Sequence, residues 1–274
     1  GPQSVLSSND EETTKLEITM KITTIATFVT FTILMTRQAP AQQGATVAEQ
    51  YLFQTTNQHR ADRHLPPLTW DADLAKAAHK HALVIAQNPS PALHQYPGEP
   101  DLKTRAHDAG AHFSTVSENV AGHATTPLEF DRAWMNSPVH RANILDPNLT
   151  AIGIAVVQSH GLLFAVEDFA RTVRVLGPSA VEQQVDRLLQ QHNIPLATSA
   201  KARQSARTIC EDPSSTAGSP RLVMQWDGPD LTQLPATILK SMPGARQHTI
   251  AVGACPSTHP QPGFTTFHLA VLMF

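Results

Sequence analysis

Trp134-Met135-Asn136-Ser137-Pro138-Val139-His140-Arg141-Ala142-Asn143-Ile144-Leu145 is the stretch on which the reading of this chain turns. Ser137-Pro138 stops a helix there, because a proline pushes the residue before it out of helical backbone. Upstream, Thr126-Pro127-Leu128-Glu129 reads as a capping box with proline at the first helical position, opening the helix that carries Phe130, Ala133 and Trp134. Downstream, two apolar segments, Ala151–Val157 and Leu162–Phe169, flank a short turn at Ser159-His160-Gly161 and predict an antiparallel hairpin.

Further out, residues 45–64 read as a helix with Val47, Tyr51, Leu52 and Thr55 along one side, ended by His64-Leu65-Pro66-Pro67. Asp71 is the expected N-cap of a second helix running to Gln87, whose Leu74, Ala78, His81, Ala82 and Ile85 share a face. Asn88-Pro89-Ser90-Pro91 breaks the chain, and a short helix near Leu102–Ala109 stops at Gly110. Ser117-Glu118-Asn119-Val120-Ala121 is expected as a loop between two helices. Helices first and strands late is an α+β pattern.

Beyond Gly177-Pro178-Ser179, read as a linker, Val181, Val185, Leu188 and Leu189 mark another amphipathic helix, and a second is expected near Ser199–Glu211. Leu222–Trp226, His248–Cys255 and Phe264–Phe274 read as strands, with a helix around Leu231–Ser241. This tail has the helix–Pro–helix rhythm of the first part, and Ile250-Ala251-Val252-Gly253 is similar to Ala151-Ile152-Gly153-Ile154. It is either a degenerate repeat or a small unrelated α+β domain.

The 274 residues are 41% apolar and 16% charged with a net charge of -3, enough to build a core and too acidic for a nucleic-acid footprint. Gly1-Pro2 reads as the scar of a tag-removing protease. Met20-Lys21, an apolar run from Ile22 to Met35 and Ala39-Pro40-Ala41 read as a signal peptide cleaved near Gln42. The run is short for a membrane span. Secretion or a periplasmic location follows, with no stable span after cleavage. The two cysteines, Cys210 and Cys255, are expected to pair in such an oxidising compartment. The division expected is a leader over 1–44, one domain over 45–174 and a smaller α+β domain over 175–274.

Four segments in order then carry a resemblance: Leu65-Pro66-Pro67-Leu68-Thr69-Trp70-Asp71 ahead of His81-Ala82, Ser117–Ala121, Trp134–Leu145, and Ile152-Gly153-Ile154-Ala155. Together they resemble the bacterial branch of the CAP superfamily, the cysteine-rich secretory or SCP-like domain, over nearly half the chain. The resemblance implies a three-layer α-β-α sandwich around an antiparallel sheet, with a cleft holding two histidines and an acid. His140 matches the second histidine and Glu118 the acid. His94 matches the first across a variable loop, with His107 and His112 as rivals. Ser117 stands where the motif usually has glycine, and a second acid of eukaryotic members maps near Ser137.

Two neutral imidazoles can hold a divalent cation such as zinc, and a carboxylate beside them can ligate, orient a ring or activate water. Few protein ligands leave open positions. The implied function is binding of such a cation, or of a small-molecule, lipid or cell-envelope ligand. Metal-assisted hydrolysis of a peptide or ester by His94, Glu118 and His140 is the alternative, and an interaction protein with a vestigial cleft is the third reading. Against each stands a plainer role: His140 as a helix C-cap, Glu118 as a structural acceptor in a tight loop, His94 as a surface histidine. His81 is expected as a satisfied core histidine, His123 as loop surface, Asn119 and Asn143 as turn-stabilising amides, and Trp70 and Trp134 as core. No nucleophile elbow surrounds Ser137.

Overall fold

Gly153 has no room for a side chain. A Cβ there would lie 2.0 Å from the backbone nitrogen of Ala75. The computed structural model, which describes residues 45–88, 91–241, 247–256 and 263–274, places this glycine where the strand β3 (Ala151–Ser159) crosses the helix α2 (Ala72–Gln87). The leader expected before residue 45 lies outside the described residues.

A four-stranded sheet runs in the order β1-β3-β4-β2, with β1 (Thr69–Trp70) parallel to β3, and β4 (Leu162–Thr172) antiparallel to both β3 and β2 (Phe113–Ala124). His160 and Gly161, both at positive φ, make the two-residue turn between β3 and β4, as such hairpins require. Side chains alternate across the sheet. Ala151, Gly153 and Ala155 face α2, and the short helix α3 (Leu102–Ala109) packs beside it. Ile152 and Ile154 face the other layer, made of α1 (Val47–Ala61), α4 (Pro127–Asn136) and α5 (Pro138–Ile144), where Leu52, Phe130, Trp134 and Ile144 close the core. This is the α-β-α sandwich expected.

Caps set the helix starts. Asp71 accepts from the N–H groups of Asp73 and Leu74, and Asp101 from Thr104, while Gly110 ends α3 in the left-handed conformation. The full capping box lies at Thr46 and Glu49, which sequence reading missed. The one expected at Thr126 is half made. Its side chain gives no cap hydrogen bond to the backbone, and Glu129 instead accepts from the N–H and hydroxyl of Thr125.

The described residues belong to one compact unit, in which a second sheet follows. Gly177 is an N-cap rather than part of a linker, and opens α6 (Pro178–Gln191). Then come α7 (Ala200–Glu211), β5 (Leu222–Gly228), α8 (Ala236–Ser241), β6 (Ile250–Cys255) and β7 (Phe267–Met273). The sheet order is β5-β7-β6, all antiparallel, and Leu196 makes a parallel bridge to Ile250 on the far side of β6. Counting that bridge, the order matches β1-β3-β4-β2 strand for strand. Gly253 also meets a helix backbone, since a Cβ there would lie 2.2 Å from the nitrogen of Arg207 on α7. A disulfide joins Cys210, near the end of α7, to Cys255 at the end of β6.

Candidate functional site

Strand β2 is the edge of the first sheet and carries the acid. This corrects the loop expected at residues 117–121. Polar residues fill this strand because partners distant in sequence satisfy them, so no apolar alternation marks it. Glu118 faces the α2–α3 layer and is 5% exposed. Its Oε2 accepts from Nη2 of Arg105 at 2.5 Å and lies 3.8 Å from Nε2 of His81, and its Oε1 lies 2.8 Å from Nδ1 of His94. Burial alone would push this carboxyl up; the hydrogen bond from His94 and the charges of Arg105 and His81 outweigh it and hold Glu118 below the usual carboxylate range.

His94 comes from the segment between α2 and α3, its side chain 60% exposed. The hydrogen bond to Glu118 raises its basicity, against burial. Arg105 fixes the segment as well as the acid, donating to the carbonyls of His94 and Pro100. His140 lies within α5 and is half-buried, so the role of C-cap on α4 does not hold. Its basicity is lowered by burial and then by the charge of His94. The two imidazoles thus come from opposite layers and sense each other across the sheet edge. His107 is exposed on α3, and His112 is exposed with Nδ1 3.3 Å from the hydroxyl of Thr265. Neither rival joins Glu118.

Asn119 points the other way from Glu118 and is fully buried. Its amide donates to the carbonyl of His140 at 3.3 Å and to Glu167 at 3.2 Å. Asn143 donates to the carbonyl of Glu118 at 3.1 Å and to Oδ1 of Asn119 at 2.9 Å. These amides are not turn residues. They fasten α5, with His140, to the strand that carries Glu118. The spacing of three between His140 and Asn143, one helix face, was the available signal. Arg105 had no such signal.

Two more carboxyls lie beneath. Glu167 accepts from the hydroxyl of Thr56 and from Asn119, and complete burial pushes it up to about 8. Asp168, the register partner of Glu118, is fully buried with neither oxygen hydrogen-bonded, and burial and then the charge of Glu118 raise it well above its ordinary value. His81 is the satisfied core histidine expected, bonded to Glu99 and the carbonyl of Leu93. His123 is exposed, though within β2 at its bulge rather than in a loop.

Among the described residues, His94, Glu118 and His140 do not bring one donor atom each within 4.8 Å of one another. Both oxygens of Glu118 are engaged, Oε2 by Arg105 and Oε1 by His94.

Residues 53–169 match the family described as the cysteine-rich secretory protein family, CAP. The uncharacterized protein YkwD of Bacillus subtilis is 35% identical over 124 residues, 45% of this chain and 47% of that protein. The uncharacterized membrane protein YlbC of the same organism is 27% identical over 111 residues, 40% of this chain and 32% of that one. The chain thus spans less than half the length of either relative. A crystal structure of an extracellular SCP-domain protein from Bacillus anthracis is similar at a TM-score of 0.43 and 28% identity, covering 46% of this chain and 40% of that one. On the family match and the Bacillus subtilis relatives, the segment 53–169 of this chain belongs to the CAP family in its bacterial form.

Proposed function

We propose that this is an exported protein whose CAP segment binds a divalent cation of the zinc class through His94 and His140, with coordination positions left for a small or envelope-derived ligand. The observation that carries the reading is the chain Arg105–Glu118–His94. A buried, clamped carboxylate takes Nδ1 of His94 at 2.8 Å and leaves Nε2 as the ring nitrogen for a ligand, the arrangement by which carboxylates orient metal-binding histidines. A cation there would polarise a bound oxygen. Exposed Leu93 and Val139 are chain neighbours of the two histidines and give the rim an apolar character. Among the described residues no helix is long and apolar enough to cross a membrane. In this reading residues 45–174 are the binding domain and 175–274 a degenerate copy of it.

Calorimetric titration of the oxidised full chain with zinc tests the reading. One equivalent is expected, with affinity falling at least about 10-fold in His94→Ala and in His140→Ala. No binding by the wild type, or binding indifferent to both changes, overturns it.

A further inference from the structure

The two sheets can be laid over one another by strand register. The glycine that meets the helix is Gly153 opposite Asp168 in one and Gly253 opposite Ala270 in the other. The peptide it meets is Leu74–Ala75 of α2, or Ala206–Arg207 of α7. From these anchors four positions follow. Ala78, one turn along α2, corresponds to Cys210 on α7. Ala155 corresponds to Cys255, Val166 to His268, and Val120 to Asp227, since Val120–Val166–Ala155 and Asp227–His268–Cys255 are register partners. In the first sheet all four belong to one apolar cluster. In the second the same four positions hold two sulfurs, an imidazole and a carboxylate.

Their side chains converge. Both sulfurs and a ring nitrogen of His268 lie within 4.8 Å of one another. Sγ of Cys210 also sits 3.7 Å from the carbonyl oxygen of His268. Nδ1 of His268 is in contact with Oδ1 of Asp227, which leaves Nε2 as the nitrogen for a ligand. Cys210 is fully buried and Cys255 6% exposed, the His268 side chain is 9% exposed, and the Asp227 side chain, at 62%, meets solvent.

We propose that this cluster is a second, redox-gated cation site. When a thiol reductant opens the Cys210–Cys255 bond, Cys210, Cys255 and His268 ligate a cation of the zinc class, with Asp227 holding the imidazole. Two reductant thiols give up two electrons and two protons, leaving as their own disulfide while both cysteines become thiols. Cation binding then releases the two thiol protons to solvent. Two thiolates and one imidazole suit zinc above harder cations. Zinc–sulfur bonds of about 2.3 Å and zinc–nitrogen bonds of about 2.0 Å put tetrahedral donors roughly 3.5 Å apart, so the two bonded sulfurs must move apart, while the imidazole nitrogen already lies within 4.8 Å of each. Three protein ligands leave a fourth position open. Reduction frees the sulfurs to part, and the cation replaces the covalent tie between α7 and β6.

Cobalt(II) is the probe, because a thiolate–cobalt charge-transfer band reports sulfur ligation and is silent for cation held by His94 and His140. The full chain is titrated oxidised and after phosphine reduction, with circular dichroism followed throughout. The expected result is no band when oxidised and one equivalent when reduced, displaced by zinc. His268→Ala should weaken binding at least about 10-fold, and Asp227→Asn by about 10-fold. If reduction loosens the second sheet, zinc should restore the dichroism of the wild type and not of His268→Ala. No band in the reduced protein, equal affinity in His268→Ala, or a band without recovery of structure overturns the proposal.

Discussion

Around the first sheet, buried Arg60, His81, Arg105, Glu118, Asn119, Glu167 and Asp168 thread the core, whereas among the described residues around the second the buried polar side chains are Glu182 and Ser205, with His268 at 9% exposed. A similar device stands on the open side of β3 and of β6, two residues apart in the shared register. Glu49 of α1 accepts from the N–H of Val156, and Glu182 of α6 from that of Ala254. At the positions of Glu118, Asn119, Glu167 and Asp168, the second sheet has Gln225, Trp226, Leu269 and Ala270. Buried ionisable groups cost stability unless paired. The first sheet carries that cost and pins His94 and His140 to opposite sides of one edge strand. The second closes with apolar contacts and a disulfide. The architecture alone does not make a site; the polar residues placed on it do.

The largest effects test whether the two sheets are packed alike. Gly153→Val and Gly253→Val each drive a side chain into helix backbone that cannot turn aside. Each should lower stability by about 3 kcal/mol or more in urea denaturation. A Gly253 variant as stable as the wild type would break the equivalence of the two crossings.

Glu167 against Leu269 gives the next effect. Folded Glu167 titrates at about 8, well above the ordinary carboxylate, because burial disfavours its charge. The folded state therefore holds a proton that the unfolded chain releases, and stability falls as pH rises from the unfolded value through about 8. At about 1.4 kcal/mol per unit, the loss reaches about 5 kcal/mol by pH 9. Glu167→Gln, neutral at every pH and able to meet both Thr56 and Asn119, should flatten that slope and raise stability at pH 9 by about 2 kcal/mol or more. Denaturation curves across this range check it, and an unchanged slope in the variant would sink the assignment.

Removing the Cys210–Cys255 bond by a double change to alanine gives the second sheet the residues that the first has at Ala78 and Ala155. The loss should be about 3 kcal/mol, read by thermal denaturation. Protection of β6 and β7 amides from exchange should fall while that of β3 and β4 persists. Equal loss in both sheets would show that the bond supports the whole unit.

What could be read from the sequence was local. Asp71 as an N-cap, Gly110 as a helix stop and the His160-Gly161 turn sit within a few residues of what they control. The likeness of the Gly153 and Gly253 segments was legible because each glycine meets a helix backbone. Strand β2 was not legible, because Ser117-Glu118-Asn119 is polar on both faces and becomes strand only when Arg105 covers one and Asn143 the other. His94 and His140 were legible as residues near a motif, whereas Glu167 and Asp168, within the expected strand Leu162–Phe169, gave no sign of their burial. Burial of an acid depends on what packs over it, and here those partners lie far away along the chain.

The smallest effect on stability concerns the fastening of α5. Asn143→Ala removes the amide that donates to the carbonyl of Glu118 and to Asn119. The second sheet has no counterpart, since Trp226 stands in place of Asn119. The cost should be about 1 kcal/mol, that of ordinary hydrogen bonds. The informative readout is the titration of His140 by NMR. In the wild type His94 is shifted up by Glu118, while His140 is shifted down by burial and by His94. His94 therefore keeps its proton to higher pH than His140 does. If Asn119 and Asn143 hold His140 in that position, loosening α5 should let water reach its ring and move it away from His94, and its titration should rise toward the ordinary value. His94, held by Glu118 and Arg105 on the other layer, should keep its own. An unchanged His140 would mean that Pro138 and the apolar seat of Ile144 fix α5 unaided; a parallel shift in His94 would mean that the two layers move as one.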